Sequence, residues 1–187
     1  MSNFKFLEQD WSSIYRKMKK AEERVNTEPV STATYCRLAL EESIHTIFDL
    51  ERIEKPFNTE LVQLMNHEEI KNIIPNYIAE GLHIVRKAGN NAVHHGNRIN
   101  SSDALISIKY CFTYFKWFSQ NYSSEEPELP SYFNDAFVPK IGENQRILKE
   151  LKAEAEKAQQ ALLDQIQKLQ EQNEAILQFF RAYLGHH

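Results

Sequence analysis

The chain has 187 residues, 42% of them hydrophobic, and a formal net charge of -4. This length accommodates one domain with an appendage and excludes two large catalytic domains, and the acidic balance excludes a strongly basic nucleic-acid-binding protein at the level of the whole chain. Five glycines are few for a fold with many tight turns, so the composition favours helices and predicts an all-α helical bundle.

Apolar residues recur at steps of three and four through most of residues 1–122, which predicts four to six helices. The first helix has Asp10 in the position of an N-cap, and the second begins near Pro29. Short helices follow, and Pro75 suits the first turn of the next long one. Residues 1–122 are therefore the predicted bundle domain.

Two segments of different composition follow the bundle. Residues 123–142 contain prolines and serines but keep aromatic residues, so we expect an extended segment docked on the bundle. Residues 143–187 carry a heptad pattern of apolar residues from 148 to 183, which predicts one long, coiled-coil-like helix. This connector either pairs with a second copy of the chain or packs back on its own domain.

The cysteines and the N-terminus indicate the compartment. Cys36 and Cys111 have no CxxC partners, so we expect two buried free thiols in a reducing environment. No apolar run reaches the length of about 18 residues that indicates a membrane span. The first residues also lack the apolar core of a signal peptide. The expectation is a cytoplasmic protein that does not enter the membrane.

The sequence lacks the motifs of several common catalytic sites. It contains no GxxxxGK[ST] loop for nucleotide phosphates, no GxSxG elbow, no HExxH and no Cys–His array with zinc spacing. The dispersed glycines offer no phosphate-cradling loop. We therefore predict neither a metal nor a cofactor in this chain.

One dense polar run continues from an apolar helix face and is the candidate binding site. If the helix continues, Arg86, Asn90 and His94 lie along one side of it. Gly89 within this helix costs about 1 kcal/mol relative to alanine, which indicates that another backbone approaches closely there. The candidate binding residues are Arg86, Lys87, Asn90, Asn91, His94, His95 and Arg98.

Three hypotheses are open for this run. In the first, Arg86 pairs with an acid of the second helix, Glu41 or Glu42, and the nearby amide and imidazole groups satisfy backbone groups. In the second, Arg86 stabilises developing charge on phosphorus while His94 or His95 acts as general base in metal-independent RNA cleavage. In the third, the run contacts phosphate or nucleic acid.

Aromatic residues recur at helical spacing in the last bundle helix. We predict that they form core rather than a base-stacking platform, because such a platform needs exposed rings beside positive charge. These residues are Tyr110, Phe112, Tyr114, Phe115, Trp117 and Phe118.

Two segments together resemble a known family. Residues 21–44 (AEERVNTEPVSTATYCRLALEESI) and 86–96 (RKAGNNAVHHG) resemble the helical N-terminal domain, of unknown function, of type I restriction enzyme R subunits. The resemblance spans residues 4–140, and the long heptad helix fits the connector that follows in those subunits. The residues that match the family pattern are Ala21, Glu22, Pro29, Arg37, Arg86, Gly89, Asn90, Ala92 and His94, of which Arg37, Gly89 and Asn90 are expected to be structural.

The resemblance implies an accessory domain for subunit docking or nucleic-acid contact. The whole complex translocates and cleaves DNA with ATP and Mg²⁺, but the motor and nuclease signatures are absent from these 187 residues. The expected partners are the modification and specificity subunits, with DNA. We expect the chain to be an N-terminal fragment or a short relative that neither cleaves DNA nor hydrolyses ATP by itself.

The predicted bundle is also similar to the HEPN superfamily, which includes metal-independent RNases and toxins. Their motif pairs an arginine with a histidine, and the corresponding residues here would be Arg86 and His94. Seven residues separate these two, more than in the HEPN motif. An RNase is therefore the second candidate function, and a pure protein-interaction module is the third.

Overall fold

The computed structural model describes residues 1–94, 99–140 and 142–184, and the side chains of 1–92, 99–140, 142 and 151–178 within them. Within these ranges there are seven α-helices and no strand, which confirms the predicted all-α class. Six helices lie in the first 122 residues, as predicted. The helices are α1 (Ser12–Arg24), α2 (Pro29–Leu50), α3 (Leu61–Asn66), α4 (Glu68–Ile73), α5 (Asn76–His94), α6 (Ser101–Tyr122) and α7 (Glu143–Leu184).

The chain divides into two compact units, Met1–Lys140 and Ile141–His187. The first unit thus includes residues 123–140, which the sequence analysis separated from the bundle at residue 122. The second unit contains α7, a single helix of 42 residues. No helix in the described part of the chain is long and apolar enough to cross a lipid bilayer.

The core of the first unit lies where α2, α5 and α6 pack together, with α1 packed against α2. Since α2 contacts α1, α5 and α6, it has apolar residues on more than one face. Tyr114 from α6 is fully buried, and its hydroxyl lies 3.0 Å from the Oγ of Ser43 on α2. Burial raises the pKa of Tyr114, so this phenol stays protonated and hydrogen-bonded in the core.

Both cysteines are free and buried, as predicted. Cys36 lies on α2 and Cys111 on α6. Burial raises the pKa of the Cys111 thiol, and the neighbouring Cys36 acts in the same direction. The Cys111 thiol therefore stays protonated near neutral pH and packs as a small apolar group.

Two glycines allow α5 to approach its neighbours closely. A Cβ added at Gly81 would lie 2.8 Å from Cγ of Tyr110 on α6, and one added at Gly89 would lie 2.8 Å from Cδ of Arg37 on α2. Ordinary contacts between carbon atoms are about 3.5–4.0 Å. At Gly81 a larger residue would meet the Tyr110 ring. At Gly89 it would meet the Arg37 side chain from its Cβ outwards and force the helices apart, which confirms the close approach predicted there.

A buried carboxyl joins three parts of the first unit. Glu22 on α1 is 2% exposed and accepts hydrogen bonds from the backbone N–H (3.2 Å) and the side-chain Nδ2 (2.6 Å) of Asn3. Asn3 in turn donates to the carbonyl of Asn134 (3.0 Å) and accepts from its N–H (2.7 Å). Burial raises the pKa of Glu22, while hydrogen bonds from Ser2 and Asn3 act in the opposite direction.

The start of α1 differs from the sequence expectation. Asp10 was predicted as the N-cap of α1, but that position belongs to Trp11. The prediction is wrong because the Asp10 carboxylate instead accepts hydrogen bonds from the N–H (3.2 Å) and Oγ (2.8 Å) of Ser124. Pro29 occupies the first turn of α2, as predicted.

Candidate functional site

The polar residues of the candidate site follow one stripe of α5. Positions three and four residues apart share a helix face, so His83, Arg86, Lys87 and Asn90 lie close together along the axis. Arg86 and Asn90 are partly buried, whereas Lys87 and the adjacent Asn91 are exposed. We call His83, Arg86, Lys87 and Asn90 the α5 ridge. The buried side of the same helix contains Ile78, Leu82, Val85 and Gly89.

Helix α2 places Arg37 against Gly89. Because Gly89 has no side chain, the aliphatic part of Arg37 packs directly on the backbone of α5. The Nη1 of Arg37 forms an ion pair with Oε2 of Glu41, one turn further along α2, at 3.3 Å. Two residues of the resembled motif that are distant in sequence, Arg37 and Gly89, thus meet in the fold.

Arg86 has no acidic partner in the described part of the chain. Glu41 pairs with Arg37, and Glu42 pairs with Lys17 of α1 at 2.5 Å. The prediction that Arg86 pairs with either acid is therefore wrong, because nearer cations occupy both carboxylates. The Nε atoms of Arg86 and Arg37 are buried and have no hydrogen-bond acceptor among the described residues. Buried N–H donors are usually hydrogen-bonded, so these two can accommodate an acceptor from outside the described residues.

Three positive charges act on His83 of the ridge. The pKa of His83 is lowered from its ordinary value, first by burial and then by the positive charges of Arg86, Lys87 and Lys71 of α4. Both effects disfavour the imidazolium, so His83 is neutral at pH 7. Arg86 and Lys87 of α5 and Lys71 of α4 therefore all act on the surface around His83.

Part of the candidate run lies outside the described residues. His94 is the last residue of α5, and its side chain falls outside the description, as do His95 and Arg98 altogether. Their proposed roles as catalytic base or binding residues stay predictions. Within the described ranges, no group of three or more His, Cys, Asp or Glu residues is arranged to hold a metal ion.

Sequence reasoning missed two members of this surface. His83 lies one turn before Arg86 on the same stripe, so helical spacing alone was enough to find it. Lys71 belongs to α4, and no spacing rule relates it to α5. Its approach depends on how the short helix packs, which a pattern within one helix does not encode.

These features define a class of molecule: an all-α domain in which one helix carries a stripe of cationic residues and packs closely on its neighbour at a glycine. Residues 19–129 match the model of the family described as Domain of unknown function (DUF4145), and the chain belongs to that family. The match includes α2 to α6 in full, and therefore both Arg37 and Gly89. No curated protein and no solved structure shows significant similarity to the chain.

Proposed function

We propose that this DUF4145 domain is an accessory domain of a type I restriction enzyme R subunit and contacts nucleic-acid phosphate through the α5 ridge. One observation carries the proposal. Arg86 has no acidic partner among the described residues and, together with Lys87 and Lys71, places positive charge near His83, on a chain whose formal net charge is -4.

Phosphate is the ligand that suits this surface. A guanidinium donates two hydrogen bonds in a plane to phosphate oxygens, and ammonium groups such as Lys87 add charge without a fixed direction. The amide groups of Asn90 and Asn91 supply neutral donors beside them. On an acidic chain the overall field repels DNA, so binding depends on a local concentration of cations.

The resemblance to R subunits gives this contact its setting. In that assembly the domain would dock with the modification and specificity subunits, while ATP and Mg²⁺ would be bound by other parts of the parent protein. Contacts to phosphate position a protein on DNA but carry no sequence information. The ridge would therefore hold the duplex without selecting a recognition site.

Fluorescence anisotropy with a labelled DNA duplex tests the ridge. Arg86→Ala and Lys87→Ala should each weaken binding and lower the slope of log affinity against log salt by about 1, as expected for one lost phosphate contact on duplex DNA. Arg16→Ala removes the same charge from an exposed position on α1 and is the matched control. Arg86→Lys should retain part of the affinity because it keeps the charge.

Two outcomes would overturn this proposal. One is duplex affinity of Arg86→Ala and Lys87→Ala equal to that of Arg16→Ala, which would remove the ridge from the contact. The other is metal-independent cleavage of RNA by the intact chain, lost in Arg86→Ala with unchanged thermal stability. That result would identify the alternative, a HEPN-like RNase.

A further inference from the structure

A second surface of the first unit combines exposed aromatic rings with positive charge. A cleft of about 470 Å³ is lined by the start of α5, the outer face of α6 and residues 131–133. Two strongly exposed tyrosines line it, Tyr77 at 73% and Tyr132 at 74% exposure. Clustered exposed apolar groups mark interaction sites, whereas single ones are ordinary. We call this surface the aromatic cleft.

Two further rings of the aromatic cleft are held by the core. Trp117 stacks on the buried Tyr114, with ring centroids 5.8 Å apart and an interplanar angle of 28°. Phe133 packs edge-on against the buried Phe112, with centroids 5.5 Å apart. These rings are fixed in advance, which lowers the entropy cost of placing a ligand against them.

The charge of the aromatic cleft is positive. Its lining includes Lys109 and Lys116 and no acidic residue. Lys109 pairs with Asp135 at 2.8 Å, but Lys116 has no acidic partner in the described part of the chain and donates to the carbonyl of Ser131 at 3.3 Å. An ammonium group without an acidic partner therefore lies in a cleft lined by aromatic rings, with its nitrogen 5.5 Å from the centroid of the Phe112 ring.

We propose that the aromatic cleft binds single-stranded nucleic acid. An unpaired base would stack between Tyr77 and Tyr132, and the adjoining phosphate would contact Lys116. This combination of exposed rings and a cation is what non-sequence-specific single-strand binding requires, because every base has a face that stacks. A duplex keeps its bases stacked inside and cannot use the rings in this way. The inference does not depend on the α5 ridge, because neither Arg86 nor Lys87 lines this cleft.

Titration of the full chain with fluorescein-labelled oligothymidylate tests the proposal. Tyr132→Ala and Tyr77→Ala should each raise the Kd by about tenfold, as expected for loss of one stacked base. Tyr132→Phe should bind like the parent chain, because it keeps the ring. Phe57→Ala removes another fully exposed ring from outside the cleft and is the matched control, with no change expected.

The emission of Trp117 provides a second, local readout. The chain has two tryptophans, so a Trp11→Phe variant reports Trp117 alone. Oligothymidylate should quench this emission in the Trp11→Phe chain, and Lys116→Gln should shift the quenching to higher oligonucleotide concentration. Quenching without any effect of Tyr77→Ala or Tyr132→Ala would overturn the proposed stacking.

The two proposals fail separately. Arg86→Ala should weaken duplex binding more than oligothymidylate binding, and Tyr132→Ala should do the reverse. Absence of oligothymidylate binding at low salt would overturn the single-strand site and leave the ridge intact. Binding of an acidic, tyrosine-containing peptide without binding of oligothymidylate would also overturn it and assign the aromatic cleft to a protein partner.

Discussion

Replacing Gly89 by alanine perturbs the contact that sets α5 against α2. The new Cβ would lie 2.8 Å from Cδ and 3.0 Å from Cγ of Arg37, and closer still to its Cβ. Since that last atom is attached to the backbone, no rotamer change of Arg37 removes the clash, and the helices must separate. Overpacking of this kind costs about 1–3 kcal/mol, against a gain of about 1 kcal/mol from the helix propensity of alanine.

The expected net effect is a loss of about 1–2 kcal/mol of unfolding free energy, because a clash with a backbone-anchored atom belongs in the upper part of the overpacking range. For a domain of this size that corresponds to a fall in Tm of about 2–8 °C, measured by circular dichroism. Asn91→Ala is the control, because it gains helix propensity at an exposed position of the same helix.

A double-mutant cycle identifies the clash as the cause. Arg37→Gly removes the opposing Cβ, so Gly89→Ala should cost less in the Arg37→Gly background than in the parent chain. Arg37→Ala keeps that Cβ and should give no such relief. If Gly89→Ala were as stable as Asn91→Ala, the close approach of the two helices would be wrong.

Three further predictions concern other parts of the chain. Gly81→Ala should lower Tm because its Cβ would meet the Tyr110 ring, and Tyr110→Ala should relieve part of the loss. The pKa of Glu22 is raised by burial in the folded state. Its stabilising contribution is therefore complete below pH 4.5, the ordinary pKa of the side chain, and is lost as the pH rises through the pKa of Glu22 in the folded protein. Glu22→Gln should therefore flatten the fall in urea-unfolding free energy as the pH rises above 4.5, and an unchanged slope would contradict this. If residues 148–183 pair with a second copy, the chain should sediment as a dimer and Leu169→Glu as a monomer, whereas a monomeric parent chain would refute pairing.

The helices were predictable from the sequence because the spacing of apolar residues that predicts a helix lies within the helix itself. The three- and four-residue spacing of apolar residues records which side of each helix is buried, and it needs no knowledge of the partner. Gly89 was informative for the same reason, since its propensity cost within a helix indicated a close contact. Its partner Arg37 was not predictable, because the register between two helices depends on the packing of the whole bundle.

Polar partners were predicted less well, because several acceptors compete for each donor. One of the three hypotheses paired Arg86 with Glu41 or Glu42, but Arg37 reaches the Glu41 carboxylate from one turn away on the same helix, and Lys17 pairs with Glu42. A pair within one helix needs no tertiary alignment and therefore forms more readily. Asp10 does not cap α1 for a similar reason, because the N–H and the hydroxyl of Ser124 both donate hydrogen bonds to its carboxylate.

The aromatic cleft shows the limit of reasoning from one helix. Phe112, Tyr114, Phe115 and Phe118 of α6 are buried, as predicted for core. The same prediction is wrong for Tyr110, which is exposed, and Trp117 is only partly buried, because these two positions lie on the outer side of the helix. The outward residues of the same helix acquire a potential function only because residues 131–133 dock beside them. Neither segment alone places exposed rings next to a cation, so a stacking surface there was not predictable from either segment.

The packing of α5 sets the rotation of this helix about its own axis, and the rotation decides which side chains of the proposed ridge are exposed. Gly81 and Gly89 are eight residues apart, which corresponds to about 80° around a helix axis, so they fix α5 against α6 on one side and α2 on the other. This rotation leaves Arg86 partly buried and Lys87 exposed. Val85→Ala removes buried side-chain volume from the same helix and lowers stability without pushing α5 away from α2.

If the ridge depends on this placement, Gly89→Ala should weaken duplex binding more than Val85→Ala does at equal loss of stability. Both variants have to be compared well below their melting temperatures, where each is fully folded. Equal duplex affinity in the two variants would show that the cations bind phosphate regardless of how closely α5 packs on α2. The contact between Arg37 and Gly89 would then serve stability alone.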